Sequence, residues 1–140
     1  MSVRLAINGF GRIGRMVFRA IHSDPGCGIE VVAINDLMDN PTLGHLLQHD
    51  SVHGRFHADV KADENGIVVD GKPVPVTAIR NLDELDWTRF NTDVVLESTG
   101  LFRDCKTAGK HLDAGARKVV ISAPAKGGDI PTVVLGVNDK

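Results

Sequence analysis

Apolar and polar residues alternate along this chain in short blocks, and the spacing inside each block differs. Val3–Asn8 (VRLAIN) is a compact apolar run ended by Gly9, the pattern of a buried strand. Ile13, Met16, Val17, Ala20 and Ile21 then recur at i, i+3, i+4, i+7 and i+8, one face of a helix, with Phe18 off the stripe. Ser23-Asp24-Pro25-Gly26 stops that helix, and Glu30–Asn35 (EVVAIN) is a second β-rich run. Strand, helix, strand is a βαβ unit, whose crossover makes the two strands parallel.

Asn40 is an N-cap candidate, with Pro41 opening a second helix that runs to about Gln48. Residues 56–80 read as β structure, with Asp70-Gly71 as a hairpin turn between Ile67–Val69 and Val74–Ile79. Pro73 and Pro75 limit the ladder donors there. Asp93–Glu97, Lys118–Ser122 and Thr132–Gly136 are three further strand candidates. A helix over Asp104–Asp113, with Gly115 as its C-cap, precedes the second of them. Apolar runs alternating with helices predict an α/β fold: about six parallel strands covered on both faces, with the hairpin as an antiparallel insertion.

Composition narrows the function classes. The chain has 140 residues, 42% of them hydrophobic and 24% charged, which suits one globular domain. Net charge is −2, so no basic excess exists to neutralise a phosphate backbone, and no nucleic-acid partner is expected. No apolar run is long enough to span a bilayer, and none resembles a signal-peptide core, so no membrane partner is expected. Cys27 and Cys105 form no C-x-x-C pair and read as free thiols, pointing to the cytoplasm.

The sharpest chemical signal is Gly9-Phe10-Gly11-Arg12-Ile13-Gly14, which matches G-x-G-x-x-G. The pattern alone is weak; its place makes it specific. It follows a predicted strand, opens a predicted helix, and is answered by an acid, Asp36, at the end of the second strand. Gly9 suits the tight turn, Gly11 lets a pyrophosphate approach the backbone, and Gly14 lets the helix pack on the sheet. Amides at the helix start, including those of Arg12 and Ile13, together with the helix dipole favour phosphate. Asp36 can accept from both hydroxyls of an adenosine ribose. A 2′-phosphate beside it would bring like charges within ~4 Å, a repulsion of order 4 kcal/mol at an effective dielectric of 20. With Leu37 rather than an arginine next, NAD is favoured over NADP. Further small or polar residues end other predicted strands on the same edge: Asn8, Asn35, Arg80, Ser98-Thr99-Gly100 and Ser122. Taken singly, each is as readily an ordinary strand end as a ligand contact.

Other patterns carry less. His45, His49, His53 and His57 recur every four residues, but no thiolate or carboxylate cluster completes a metal site. Arg12, Arg15 and Arg19 read as a solvated helix face, and Cys105 as a bystander thiol.

INGFGRIGR (Ile7–Arg15), AINDL (Ala33–Leu37), HDSVHGRF (His49–Phe56), ESTGLF (Glu97–Phe102), ISAPA (Ile121–Ala125) and GVN (Gly136–Asn138) occur in this order along the whole chain. Together they resemble the NAD-binding half of the phosphorylating glyceraldehyde-3-phosphate dehydrogenases. The resemblance implies a Rossmann-type, doubly wound, mostly parallel sheet. It implies that Asn8, Phe10, Gly11, Arg12 and Ile13 surround the pyrophosphate, with Ile13 also beside the nicotinamide. Asp36 would hold the adenosine ribose, Leu37 and Phe102 would flank the adenine with Arg80 nearby, and Thr99 and Ser122 would line the cleft. Gly9, Gly14, Asn35, Ser98 and Gly100 complete the cofactor-binding candidates by their place in the glycine turn or at strand ends. Where the family usually has Tyr before Asp-Ser, this chain has His49.

The family oxidises glyceraldehyde 3-phosphate with NAD and inorganic phosphate, as a homotetramer. Its catalytic cysteine lies in a Ser-Cys-Thr-Thr-Asn segment after GVN, which does not occur before Lys140. The expectation is therefore an NAD-binding domain over residues 1–140, with the catalytic domain absent, able to bind NAD but not to catalyse. Three alternatives stand beside it: the same half of an erythrose-4-phosphate dehydrogenase, a self-standing non-catalytic dinucleotide module, or a methyl-donor cofactor in the same fold. Members of the erythrose-4-phosphate group tend to carry Glu at the Asp36 position.

Overall fold

A computed structural model describes all residues, 1–140. Strand β1 (Val3–Asn8) lies at the centre of the main sheet, and helix α1 (Arg12–Ser23) connects it to β2 (Ile29–Asn35). Helix α2 (Asn40–Gln48) follows, then a small hairpin of β3 (His49–Asp50) and β4 (Gly54–Arg55). An antiparallel meander comes next: β5 (Val60–Ala62), β6 (Gly66–Val69) and β7 (Lys72–Thr77). Two 3₁₀ turns, Leu82–Glu84 and Trp87–Phe90, lead to β8 (Val94–Glu97). The short helices α3 (Cys105–Ala108) and α4 (Lys110–Asp113) then lead to β9 (Lys118–Ile121).

The seven-stranded sheet has the order β5-β6-β7-β2-β1-β8-β9. Its β7–β2, β2–β1, β1–β8 and β8–β9 pairings are all parallel. Five strands therefore run parallel rather than the expected six, and β7 of the hairpin joins them instead of standing apart. The chain builds outward from β1 through β2 to β7 and then returns to β1's other side as β8. That reversal puts a crevice beyond the carboxyl ends of β1 and β8.

Alternation along β1 divides the core. Leu5 and Ile7 join Phe10, Phe18, Leu43 and Leu47 under α1 and α2, while Ala6 joins Ala33, Val95, Trp87, Ala114 and Ala116 on the opposite face. Both faces of the central strands β2, β1 and β8 are thus covered, as their near-continuous apolar runs require, while the edge strand β9 leaves Val120 exposed.

Four local expectations are corrected. The helix over 104–113 is two single turns that break at Gly109. The N-cap of α2 is Asp39, whose carboxylate accepts from the Thr42 amide and hydroxyl, while Asn40 Nδ2 donates to Asp63 O instead. On α1, Phe18 belongs to the buried face with Gly14, whereas Ile13 and Ala20 are exposed. The stripe is rotated because the close Gly14 contact, and not the number of apolar side chains, sets which face meets the sheet. Finally, Thr132–Gly136 forms no strand. The Val134 carbonyl accepts from the amides of Val137 and Asn138, and the Val134 amide donates to Asn138 Oδ1. The segment closes on itself through bonds that a ladder would have used.

Candidate functional site

The glycine turn between β1 and α1 is built by close contacts. Gly9 has φ +93°, and a Cβ there would lie 2.7 Å from the Thr99 backbone. A Cβ on Gly14 would lie 2.5 Å from the Gly9 carbonyl oxygen, so the first turn of α1 is seated directly on the loop. A Cβ on Gly11 would meet nothing within 4 Å: the space above the middle glycine is open. Gly11 is also the N-cap of α1 and offers no side-chain oxygen, which leaves the first-turn amides uncapped.

The open space belongs to a cleft of about 360 Å³ at the carboxyl edge of the sheet. Asn8, Gly9 and Gly11 form one wall; Asn35, Asp36, Leu37 and Arg80 form another; Ser98, Thr99 and Phe102 close it. Ile79, Leu82 and Leu101, which the sequence did not single out, also line it. Asp36 sits half-buried at the end of β2, where Oδ2 accepts from the Phe10 amide at 2.8 Å and Oδ1 from the Met38 amide at 2.9 Å. Each oxygen retains a lone pair for another donor, which suits a diol.

The remaining site candidates lie at or beyond the rim. Phe10 has its ring in the core, edge-on to Phe18 at 5.9 Å, so only its backbone faces the turn. Arg12 and Ile13 are exposed on the first turn of α1, Gly14 is buried beneath it, and Gly100 is exposed beside Thr99. Ser122 is exposed past the end of β9, its amide donating to Glu97 O.

Beneath the cleft lies a polar network that sequence reasoning missed. Glu97, 1% exposed at the end of β8, accepts from Asn8 Nδ2 (2.7 Å), His111 Nε2 (2.5 Å) and the Thr99 amide (3.1 Å) and hydroxyl (2.5 Å). Burial pushes its carboxyl up; the donors from His111, Thr99 and Asn8 more than offset this and hold it below the ordinary value. Trp87 Nε1 donates to His111 Nδ1 at 3.0 Å. Asn8 in turn accepts from Asn35 Nδ2, and Asn35 Oδ1 accepts from Thr77 Oγ1 and the Ile79 amide. The one available signal was a lone Glu closing an otherwise apolar strand run, DVVLE.

Arg19 corrects another expectation. It is buried rather than solvated: Nε and Nη2 donate to Leu47 O, and Nη1 donates to Gly54 O. No group of three or more metal-ligating side chains converges, and no helix is long and apolar enough to cross a membrane.

Residues 3–105 match the family model described as glyceraldehyde 3-phosphate dehydrogenase, NAD binding domain. A glyceraldehyde-3-phosphate dehydrogenase of Geobacillus stearothermophilus is 56% identical over 99% of this chain and 40% of its own length. One from Thermotoga maritima is 54% identical over 97% of this chain and 40% of its own length. A chloroplastic one from Chondrus crispus is 50% identical over 100% and 34%. The chain spans about a third to two-fifths of the length of the curated relatives it matches. A glycine turn seated under an uncapped helix, an acid across a switch-point cleft, and identity along nearly the whole chain agree: this chain belongs to the NAD-binding domain family of the glyceraldehyde 3-phosphate dehydrogenases.

Proposed function

We propose that residues 1–140 form the cofactor domain of a phosphorylating glyceraldehyde-3-phosphate dehydrogenase, acting on glyceraldehyde 3-phosphate with NAD and inorganic phosphate. The observation that carries this reading is the cleft at the carboxyl ends of β1, β2 and β8, with open space over Gly11 and a half-buried Asp36 opposite. The amides of the Gly9–Gly14 turn and the dipole of α1 hold the pyrophosphate. Asp36 grips the adenosine ribose, Leu37 and Phe102 sandwich the adenine beside Arg80, and Ile13 faces the nicotinamide. Asn8, Asn35, Ser98, Thr99, Gly100 and Ser122 supply the remaining polar lining. When bound, NAD supplies the hydride acceptor; this domain's residues bind and orient it.

The catalytic nucleophile and the phosphate-binding residues belong to a catalytic half outside residues 1–140. The working assembly is a homotetramer, and no nucleic acid or membrane takes part. The free thiols Cys27 and Cys105 suit the reducing cytoplasm.

Calorimetric titration with NAD, ADP-ribose and S-adenosylmethionine tests the reading. Heat is expected with the first two and none with the third. A folded chain, judged by circular dichroism, that takes up S-adenosylmethionine or ignores NAD would overturn it.

A further inference from the structure

We propose that Glu97, held by a neutral His111, is the positioning residue of the NAD cleft: its buried carboxylate orients the Asn8 amide and the Thr99 hydroxyl. This rests on the dinucleotide reading for the ligand's identity, and on geometry alone for the network.

Hydrogen-bond polarity fixes the direction of each contact in the network. At one end of the network the Ile79 backbone sets the direction: its amide donates to Asn35 Oδ1 at 2.9 Å and its carbonyl accepts from Asn35 Nδ2 at 2.8 Å. Asn35 must then present Nδ2 to Asn8 Oδ1, and Asn8 must present Nδ2 to Glu97. At the other end stands Trp87. An indole N–H only donates, so His111 Nδ1 accepts, and the single proton of the neutral ring lies on Nε2, aimed at Glu97. Thr99 adds an amide and a hydroxyl from a third direction, and its oxygen accepts in turn from the Leu101 amide.

Donors therefore converge on Glu97 from every side. Only an acceptor on both oxygens fits, which is an ionised carboxylate. No arginine or lysine pairs with it; the four N–H and O–H groups are its only partners. Glu97 and His111 do not line the cleft, whereas Asn8, Asn35 and Thr99 do. Glu97 thus acts through residues drawn from the ends of β1, β2 and β8, and holds their polar atoms in one register for the ligand.

Three variants and one spectrum decide it. Nitrogen-15 spectra of the wild-type chain should place the His111 proton on Nε2; a proton on Nδ1 overturns the positioning role. Glu97→Gln puts an NH₂ against existing donors and should weaken NAD binding at least tenfold in a folded chain. Affinity within twofold of wild type overturns the proposal. His111→Gln preserves the polarity, with its amide oxygen accepting from Trp87 and its NH₂ donating to Glu97, and should stay within about threefold of wild type. His111→Leu removes the donor and should lose at least tenfold. Equal losses in the two would mean that His111 only fills space, and would overturn the proposal even if Glu97→Gln failed to fold. A wild-type chain with the Nε2 proton but no NAD binding sinks the dinucleotide reading and the assignment to that site together. An Nδ1 proton in a chain that does bind NAD sinks the positioning role alone.

Discussion

Asp36 and Arg19 illustrate how differently single residues disclose themselves. Asp36 combines an accessible carboxylate with a place opposite the glycine turn, so its role follows from position. Asp36→Ala should weaken NAD binding by about 1–3 kcal/mol, the worth of charged hydrogen bonds to a buried sugar. Titration calorimetry measures this, and unchanged affinity would remove Asp36 from the site. Arg19 gave no such hint. It joins two arginines at helical spacing, the pattern of a wet face, yet its guanidinium donates to Leu47 O in the last turn of α2 and stacks on Phe56 at 5.3 Å. A cation there meets the negative end of the helix dipole. Arg19→Met keeps the stem but orphans the carbonyls, and should cost about 2–3 kcal/mol of stability in urea unfolding. His111 was equally silent, and Glu97 left only its place at the end of an apolar run, because a polar residue ending a strand or set in a helix has the same local pattern whether it meets water or a partner far along the chain.

Glu97 also carries a pH signature. Its pKa in the folded chain lies below the ordinary 4.5. The stability it contributes is therefore fully present above that ordinary value and lost as pH falls through the folded one. The stability gap between wild type and Glu97→Gln should be widest near neutrality and shrink on acidification. A gap independent of pH would show that the carboxylate contributes no ionisation-linked stability. Asp39, Asp50 and Asp104 are also held low by backbone amides, but at solvent-accessible helix caps and turns where water screens the effect.

The order of strands and helices was largely legible because each buried strand is a distinct apolar run and each break is marked by glycine, proline or a cap. Boundaries and faces were less so. The phase of α1 depends on Gly14, whose missing side chain leaves no hydrophobic mark, and that contact turns Phe18 inward. The Thr132–Gly136 run is apolar enough for a strand, yet the Val134 amide and carbonyl are taken locally. Gly14→Ala tests the helix seat directly. Its Cβ would press on Gly9 O at 2.5 Å and approach Ile7 Cγ2 at 3.1 Å. Overpacking of this kind should cost about 1–3 kcal/mol and lower NAD affinity as well, since the loop moves with the helix. Full stability in the variant would show that the loop yields freely.

For the whole molecule, the sheet carries its ligand edge on one side and unmet apolar surface elsewhere. Ile13, Val120 and the run from Val133 to Val137, where Leu135 is 88% exposed, face solvent. Such surface drives association. Sedimentation velocity on this chain should show concentration-dependent oligomers, and a strict monomer at high concentration would count against it. Adding NAD should raise the melting temperature, as for any ligand that binds only the folded form.

The Asn8–Glu97 hydrogen bond joins residues 89 apart, and His111 lies later still. While the chain emerges from the ribosome, the glycine turn and Asp36 exist long before the groups beneath them arrive. Closing so large a loop is an entropic cost met only once β8 pairs with β1. Competence to hold the dinucleotide is thus acquired late and all together, and nascent chains released before residue 111 should neither bind it nor be protected by it from proteolysis.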